Sequence, residues 1–150
     1  MAALVPGSAV MTYKQLRGYQ KLPPLPLIIL YEVRPRVGHW VIVLETPLGL
    51  EHFDSYGLKP DGELELIPTM RRHELGEDQP HLVRLLLDTN LPINFSDGVL
   101  QGKGTATCGR WCALRYAARA LGSEDFLRLV AEEAQKRGQS PDAMVASIIR

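Results

Sequence analysis

With 150 residues, 45% of them hydrophobic and 23% charged, the chain has the composition of one soluble globular domain, 1–150, that builds its own core; disorder and fibrous architectures are excluded. The 17 basic residues balance 17 acidic ones, so no net field draws the chain to nucleic acid or to an anionic membrane surface. Two cysteines, Cys108 and Cys112, are too few for a disulfide scaffold, which implies a reducing compartment and leaves each thiol available for chemistry.

The opening stretch MAALVPGSAVMTYKQLRGYQK has no basic region ahead of an apolar run, and the apolar run at 25–31 is too short to cross a bilayer. The expectation is an intracellular protein, not secreted and with no membrane partner. LPPLPLIILYEVRP predicts a short buried strand at 27–33, because proline is excluded from the interior of a paired strand and stands on both sides of this one. GHWVIVLETPLGLEHFDSYG predicts a β-hairpin with its turn at 46–49 and a return strand through Phe53. With an even loop, opposed positions sum to 95, which makes His39 and Asp54 diagonal neighbours on one face; an odd loop or a bulge separates them.

PHLVRLLLDTN suits a short helix better than a strand, and LPINFSDGVLQ reads as a further strand leading into the glycine loop at 102–105. From Cys108 the composition is helical as far as Gly122. Ser123 is expected to cap a second helix, and Ser140-Pro141-Asp142 opens a third with proline at its first position. Strands first and helices last is an α+β order.

A cysteine nucleophile needs a thiolate, and an ordinary thiol titrates near 8.5. Cys108 stands where a glycine loop meets a helix start, so free backbone N–H groups and the positive end of the helix dipole favour the anion. His39 is the candidate partner that pairs with the thiolate and later protonates the leaving amine, and Asp54 the carboxylate that holds the imidazole in one tautomer. Glu51 is the fallback acid. The Gln101 side chain and the Cys108 backbone N–H are the candidate donors to an oxyanion.

The segments GHWV, FDSYG and LQGKGTATCGRWC resemble the adenain-like cysteine proteases, which include adenovirus endopeptidase, virus and phage maturation proteases and the ubiquitin-like-protein-specific proteases. The order His, Asp, Gln, Cys matches that family. So do the His-Trp pair, the acid 15 positions after the histidine, the glutamine 7 positions before the cysteine, and the CGxxC pattern. Residues 1–30 and the stretch past Gly122 find no counterpart.

The resemblance implies a mixed or antiparallel sheet carrying His39 and Asp54, packed on a central helix carrying Cys108. It also implies cleavage of protein chains without metal or organic cofactor, with Gly38, Gly104 and Thr105 near the substrate. A short chain with no extension to grip a modifier favours maturation of capsid or scaffold proteins by a monomeric enzyme. The alternatives on the same site are a ubiquitin-like-modifier isopeptidase, an acyltransferase, or an idle virion or scaffold protein.

Other features read as structural. Cys112, one helical turn past Cys108, suits a small buried hydrophobe, since i,i+4 cysteines lack the knuckle spacing of a zinc site. Trp40 alternates away from His39 and belongs in the core. His52, His73 and His81 are expected as surface or structural residues. Arg34/Arg36, Arg71/Arg72 and Arg115/Arg119 form small basic clusters, too few to overturn the expectation that DNA is not a partner.

Overall fold

A computed structural model describes residues 1, 3–66, 70, 80–96, 98–102 and 104–149; the expectations for Arg71, Arg72, His73 and Lys103 lie outside the described residues. In chain order they form β1 (Ala9–Thr12), α1 (Tyr13–Leu16), β2 (Leu27–Arg34), β3 (Val37–Thr46), β4 (Gly49–Phe53), a 3-10 helix (Gly62–Leu66), α2 (His81–Leu87), β5 (Ile93–Phe95), α3 (Cys108–Ala117), α4 (Ser123–Arg137) and α5 (Pro141–Ile148). The fold is α+β, with a mixed five-stranded sheet in the order β1-β2-β3-β4-β5. The edge strands β1 and β5 run parallel to their neighbours, and β2, β3 and β4 are antiparallel.

Of the two loop parities open to the sequence, the hairpin has the even one. Ile42 faces Phe53, Val43 faces His52 and Leu44 faces Glu51, so opposed positions sum to 95. Pleat alternation then divides β3 between two cores. Val41 and Val43 join Leu27, Ile29, Tyr31 and Leu50 against Tyr13, Leu16, Leu64, Leu82, Leu85 and Leu86. Ile42 and Leu44 join Ile28 and Phe53 against Trp111, Cys112, Phe126, Val130, Met144 and Val145. With both faces covered, β2 is buried along most of its length, which is why its sequence is an unbroken apolar run rather than an alternating one.

The helix at 81–87 forms as expected, but its N-terminus is capped from far away in the chain. Pro80 offers no side chain for the purpose; the Tyr13 hydroxyl accepts from the N–H groups of His81 (2.6 Å) and Leu82 (3.2 Å), and Asp61 accepts from Val83 N–H (2.8 Å). Asp61 also accepts from the Tyr31 hydroxyl at 2.8 Å. These bonds pin the 3-10 helix that follows Asp61 against the end of the sheet.

Several boundaries differ from the sequence reading. The strand expected in LPINFSDGVLQ is only Ile93–Phe95, because the backbone N–H groups of Leu100 and Gln101 turn away to the Ser55 carbonyl, at 2.9 and 3.0 Å. The helix begun at Cys108 ends at Ala117 rather than Gly122, since the carbonyls of Ala118 and Leu121 accept from the buried Arg115 guanidinium, at 3.0 and 2.8 Å. Arg115 is therefore a core residue, not half of a surface basic cluster. Ser123 is the first helical residue of α4 and makes no cap bond, with Gly122 at the cap position. Ser140 caps α5 as expected, accepting from Ala143 N–H, with Pro141 in the first turn.

Candidate active site

His39 lies near the start of β3, and its register partner in β2 is Tyr31. Asp54 follows the last residue of β4, on the face that the hairpin register assigns it. The two side chains meet: His39 Nε2 is 2.8 Å from Asp54 Oδ1, which also accepts from Tyr56 N–H at 2.8 Å. The Tyr56 ring stacks on the imidazole, centroids 4.3 Å apart and planes within 18°, so the ring is held flat as well as held by its edge. Asp54 is fully buried and His39 nearly so.

Cys108 opens α3 from the opposite side of the sheet and reaches the same point. Thr107 occupies the cap position but makes no cap bond to the helix; its hydroxyl is turned to Asp142 of α5. The N–H groups of the first turn are thereby left to the sulfur. Burial raises the Cys108 thiol, but hydrogen bonds from His39 and from the backbone N–H groups of Trp40 and Gly109, with the charge of His39, outweigh it and bring the group below the ordinary thiol value. Burial likewise opposes the imidazolium, yet the bonds to Asp54 and Cys108 push His39 up to about 10. Because Nε2 is engaged by the carboxylate, Nδ1 is the nitrogen left for the sulfur. Both shifts run toward the thiolate–imidazolium pair.

Gln101 is buried beside them. Ser55 Oγ donates to its Oε1 at 2.6 Å, and its Nε2 donates to the Thr105 carbonyl at 2.8 Å. The Thr105 carbonyl, which can only accept, fixes which end of the amide carries the N–H groups, and Nε2 keeps one N–H beyond that bond. His39, Gln101, Cys108, Gly38 and Thr105 all line one cleft of about 700 Å³, whose apolar walls include Leu4, Val33 and Val37. Gly38 serves the fold first: a Cβ there would come within 1.9 Å of the Tyr31 carbonyl oxygen across the β2–β3 ladder. Gly104 stands outside the cleft wall, in a left-handed conformation at φ +77°.

The remaining expectations divide. Cys112 is a buried hydrophobe whose thiol is raised by burial and by the charge of Cys108. Trp40 is half-buried, packing on the α3 side of the sheet while also lining the cleft. His52 and His81 are buried, so their role is structural and not that of surface residues. Glu51, the fallback acid, belongs to Arg115, which donates to it at 2.6 and 3.0 Å.

Three residues of the site escaped the sequence reading. Ser55 looked like part of a turn and sets Gln101. Asp142, in the first turn of α5, accepts from Thr107, from Trp111 Nε1 at 3.0 Å and from Gly102 N–H at 3.3 Å, tying α5 to the stretch before the nucleophile. Glu63, on the 3-10 helix, places Oε1 3.4 Å from His39 Nε2. Donor atoms of His39, Asp54 and Glu63 lie within 4.8 Å of one another, a set that in composition suits a divalent cation as well as a shared proton. Among the described residues, no helix is long and apolar enough to cross a membrane.

No family model matches the chain, and no solved structure does. It is similar to a protein of Sputnik virophage described as Uncharacterized protein V9, with 30% identity over 124 residues that cover 81% of this chain and 71% of that one. At that identity over most of both lengths, the chain belongs to the family of the virophage V9 protein.

Proposed function

We propose that the chain is a cysteine endopeptidase of the adenain-like type that matures viral structural proteins. One observation carries the reading: an imidazole near the start of β3, held by a carboxylate on one edge, shares a cleft with a thiol at the tip of α3 and a buried side-chain amide, and imidazole and thiol shift each other toward the charged pair. The virophage source of the V9 relative supports the viral setting.

In the proposed reaction the Cys108 thiolate attacks the scissile carbonyl carbon, and the electron pair displaced onto oxygen is met by the Cys108 backbone N–H and the spare N–H of Gln101. His39 gives its Nδ1 proton to the departing amine, and the C–N bond breaks to leave a thioester. Neutral His39 then takes a proton from water, whose oxygen attacks the thioester; the acid product leaves and the thiolate–imidazolium pair returns. Asp54 keeps the ring in place through both transfers.

Two measurements test the reading. At pH 6 to 7 iodoacetamide should alkylate Cys108 far faster than Cys112, and His39→Ala should slow it. Wild type, and not Cys108→Ala, should cut capsid or scaffold proteins from its own source and create new N-termini seen by mass spectrometry. Slow, equal labelling of both thiols with no cleavage would instead mark an idle virion component.

A further inference from the structure

The triad accounts for one face of Asp54 and leaves the other unexplained. Oδ1 accepts from His39 and from Tyr56 N–H, whereas Oδ2 is buried and receives no N–H or O–H from any described residue; the same holds for Glu63 Oε1. An oxygen of each carboxyl lies within 4.8 Å of the other's, and both side chains are at least 96% buried. Two ionised carboxylates in that position repel at close range where water cannot screen them, and a single proton between them removes the repulsion and satisfies both oxygens.

We infer that Glu63 is a fourth member of the site, a neutral carboxylic acid that donates its proton to Asp54 Oδ2 and so fixes the carboxylate that orients His39. The catalytic consequence rests on the protease reading; the proton itself does not. The groups facing Glu63 agree with it. Among the described residues, Asp54 and Cys108 oppose a charge on Glu63 and His39 favours one. Burial, then the hydrogen bond and charge of Asp54, raise Glu63 well above the usual carboxylate range. The bonds of Asp61 to Tyr31 and Val83 hold the 3-10 helix, so Glu63 is not free to swing out toward water.

Glu63 is a positioning residue: it acts through Asp54. A cation shared by the three groups is the competing occupant, and the His39–Asp54 separation speaks against it. Ligands each about 2.0–2.2 Å from a tetrahedral ion stand farther apart than 2.8 Å, which is a hydrogen-bond distance.

The proton is tested by infrared difference spectroscopy of wild type against Glu63→Gln at pH 7. The expected result is the C=O stretch of a neutral carboxylic acid in wild type, absent from Glu63→Gln and retained in Cys108→Ala. A wild type without that band, or purified protein carrying a stoichiometric divalent metal, would overturn the inference whatever the activity of the site.

Positioning is tested by the alkylation rate of Cys108 as a function of pH. Glu63→Ala, which leaves Asp54 Oδ2 without a donor, should slow labelling at neutral pH roughly ten- to hundredfold through misplacement of the imidazole. Glu63→Gln, whose amide still donates, should recover most of that rate. Equal rates in Glu63→Ala and wild type would exclude the positioning role. If Cys108 of wild type is itself no faster than Cys112, the protease reading fails while the infrared result stands.

Discussion

Glu51 and Asp54 are three residues apart and both are buried, yet the structure closes the first charge and leaves the second open. Both oxygens of Glu51 accept from Arg115. The guanidinium spends its other bonds on the carbonyls of Ala118 and Leu121 and lies 4.7 Å from the centre of the Phe126 ring. Both charges in that knot are thus held by each other and by fixed carbonyls. Asp54 has one oxygen shared between an imidazole and a backbone N–H, and the other facing a second acid. A buried polar group left incompletely satisfied costs stability, and here it is found beside a cleft and a thiol, where proton movement is useful.

Arg115 is the residue on which the closed pair depends most. Arg115→Met leaves Glu51 buried without a counter-charge and should cost about 3–5 kcal/mol, read from the urea midpoint at constant slope. Adding Glu51→Leu to the same chain should recover much of that loss. Alkylation of Cys108 in the folded fraction should keep its pH profile, because the knot touches neither the ring nor the sulfur.

Asp54→Asn should cost chemistry more than stability. The amide keeps a contact to Glu63 through a donated N–H, but His39 loses the carboxylate that raises it, so stability at pH 7 should fall by about 1–2 kcal/mol, less than in Arg115→Met because the imidazolium can give up its proton. The imidazolium loses its counter-charge, and turnover should fall on the order of a hundredfold or more. If Asp54→Asn instead unfolds the protein while keeping fast labelling, the contrast between a structural and a chemical ion pair is wrong.

Two histidines sharpen the same contrast through pH. His52, one residue before Phe53 on β4, is buried with no ring partner outside its own residue among those described, and burial lowers it to about 4. Its imidazole is neutral in both states above the ordinary value near 6.5, and the stability it permits is complete there. As pH falls from 6.5 toward 4 the unfolded chain takes up a proton that the folded chain refuses, so stability declines by up to about 1.4 kcal/mol per pH unit. His39, raised to about 10, runs the other way: its contribution is full below 6.5 and is lost as pH climbs through 10. Urea midpoints of wild type and His52→Leu at pH 7, 5.5 and 4.5 should differ by an amount that shrinks with acid in favour of the variant. A constant difference would show that His52 stays neutral for another reason.

Much of this arrangement was legible where a short period and a tight turn set it. The pleat has period two and the loop Pro47-Leu48 is even, so His39 and Asp54 could be placed on one face from spacing alone. Cys108 stood out because glycine spacing marks the point where a loop becomes a helix. Glu63 could not be read in that way. GELEL resembles a solvated stretch, and what drives Glu63 inward is Asp61, held by Tyr31 and Val83, which lie 30 and 22 residues from it in the chain. Arg115 was misread for a similar reason, since its acid is 64 residues away on a strand. β1 is four residues long and leans on a parallel edge, which gives no local pattern to read.

Asp142 gives the finest division of the site. Burial opposes its charge, but bonds from Thr107 and Trp111 outweigh burial and hold its carboxyl below the usual value, so it is ionised at neutral pH. It grips Gly102 and Thr107 on the Gln101 side of the cleft, whereas the thiolate is supported by His39, Trp40 and Gly109. Asp142→Asn weakens three bonds at a half-buried position and should cost about 1 kcal/mol of stability. The Thr105 carbonyl that orients the Gln101 amide should then loosen, lowering kcat by roughly three- to tenfold with little change in KM, in line with partial loss of one oxyanion donor. The pH midpoint for alkylation of Cys108 should not move, because none of the groups that lower its thiol touches Asp142. A shifted midpoint would mean that the loop and the sulfur are one mechanical unit, and that the oxyanion side of the cleft cannot be tuned apart from the nucleophile.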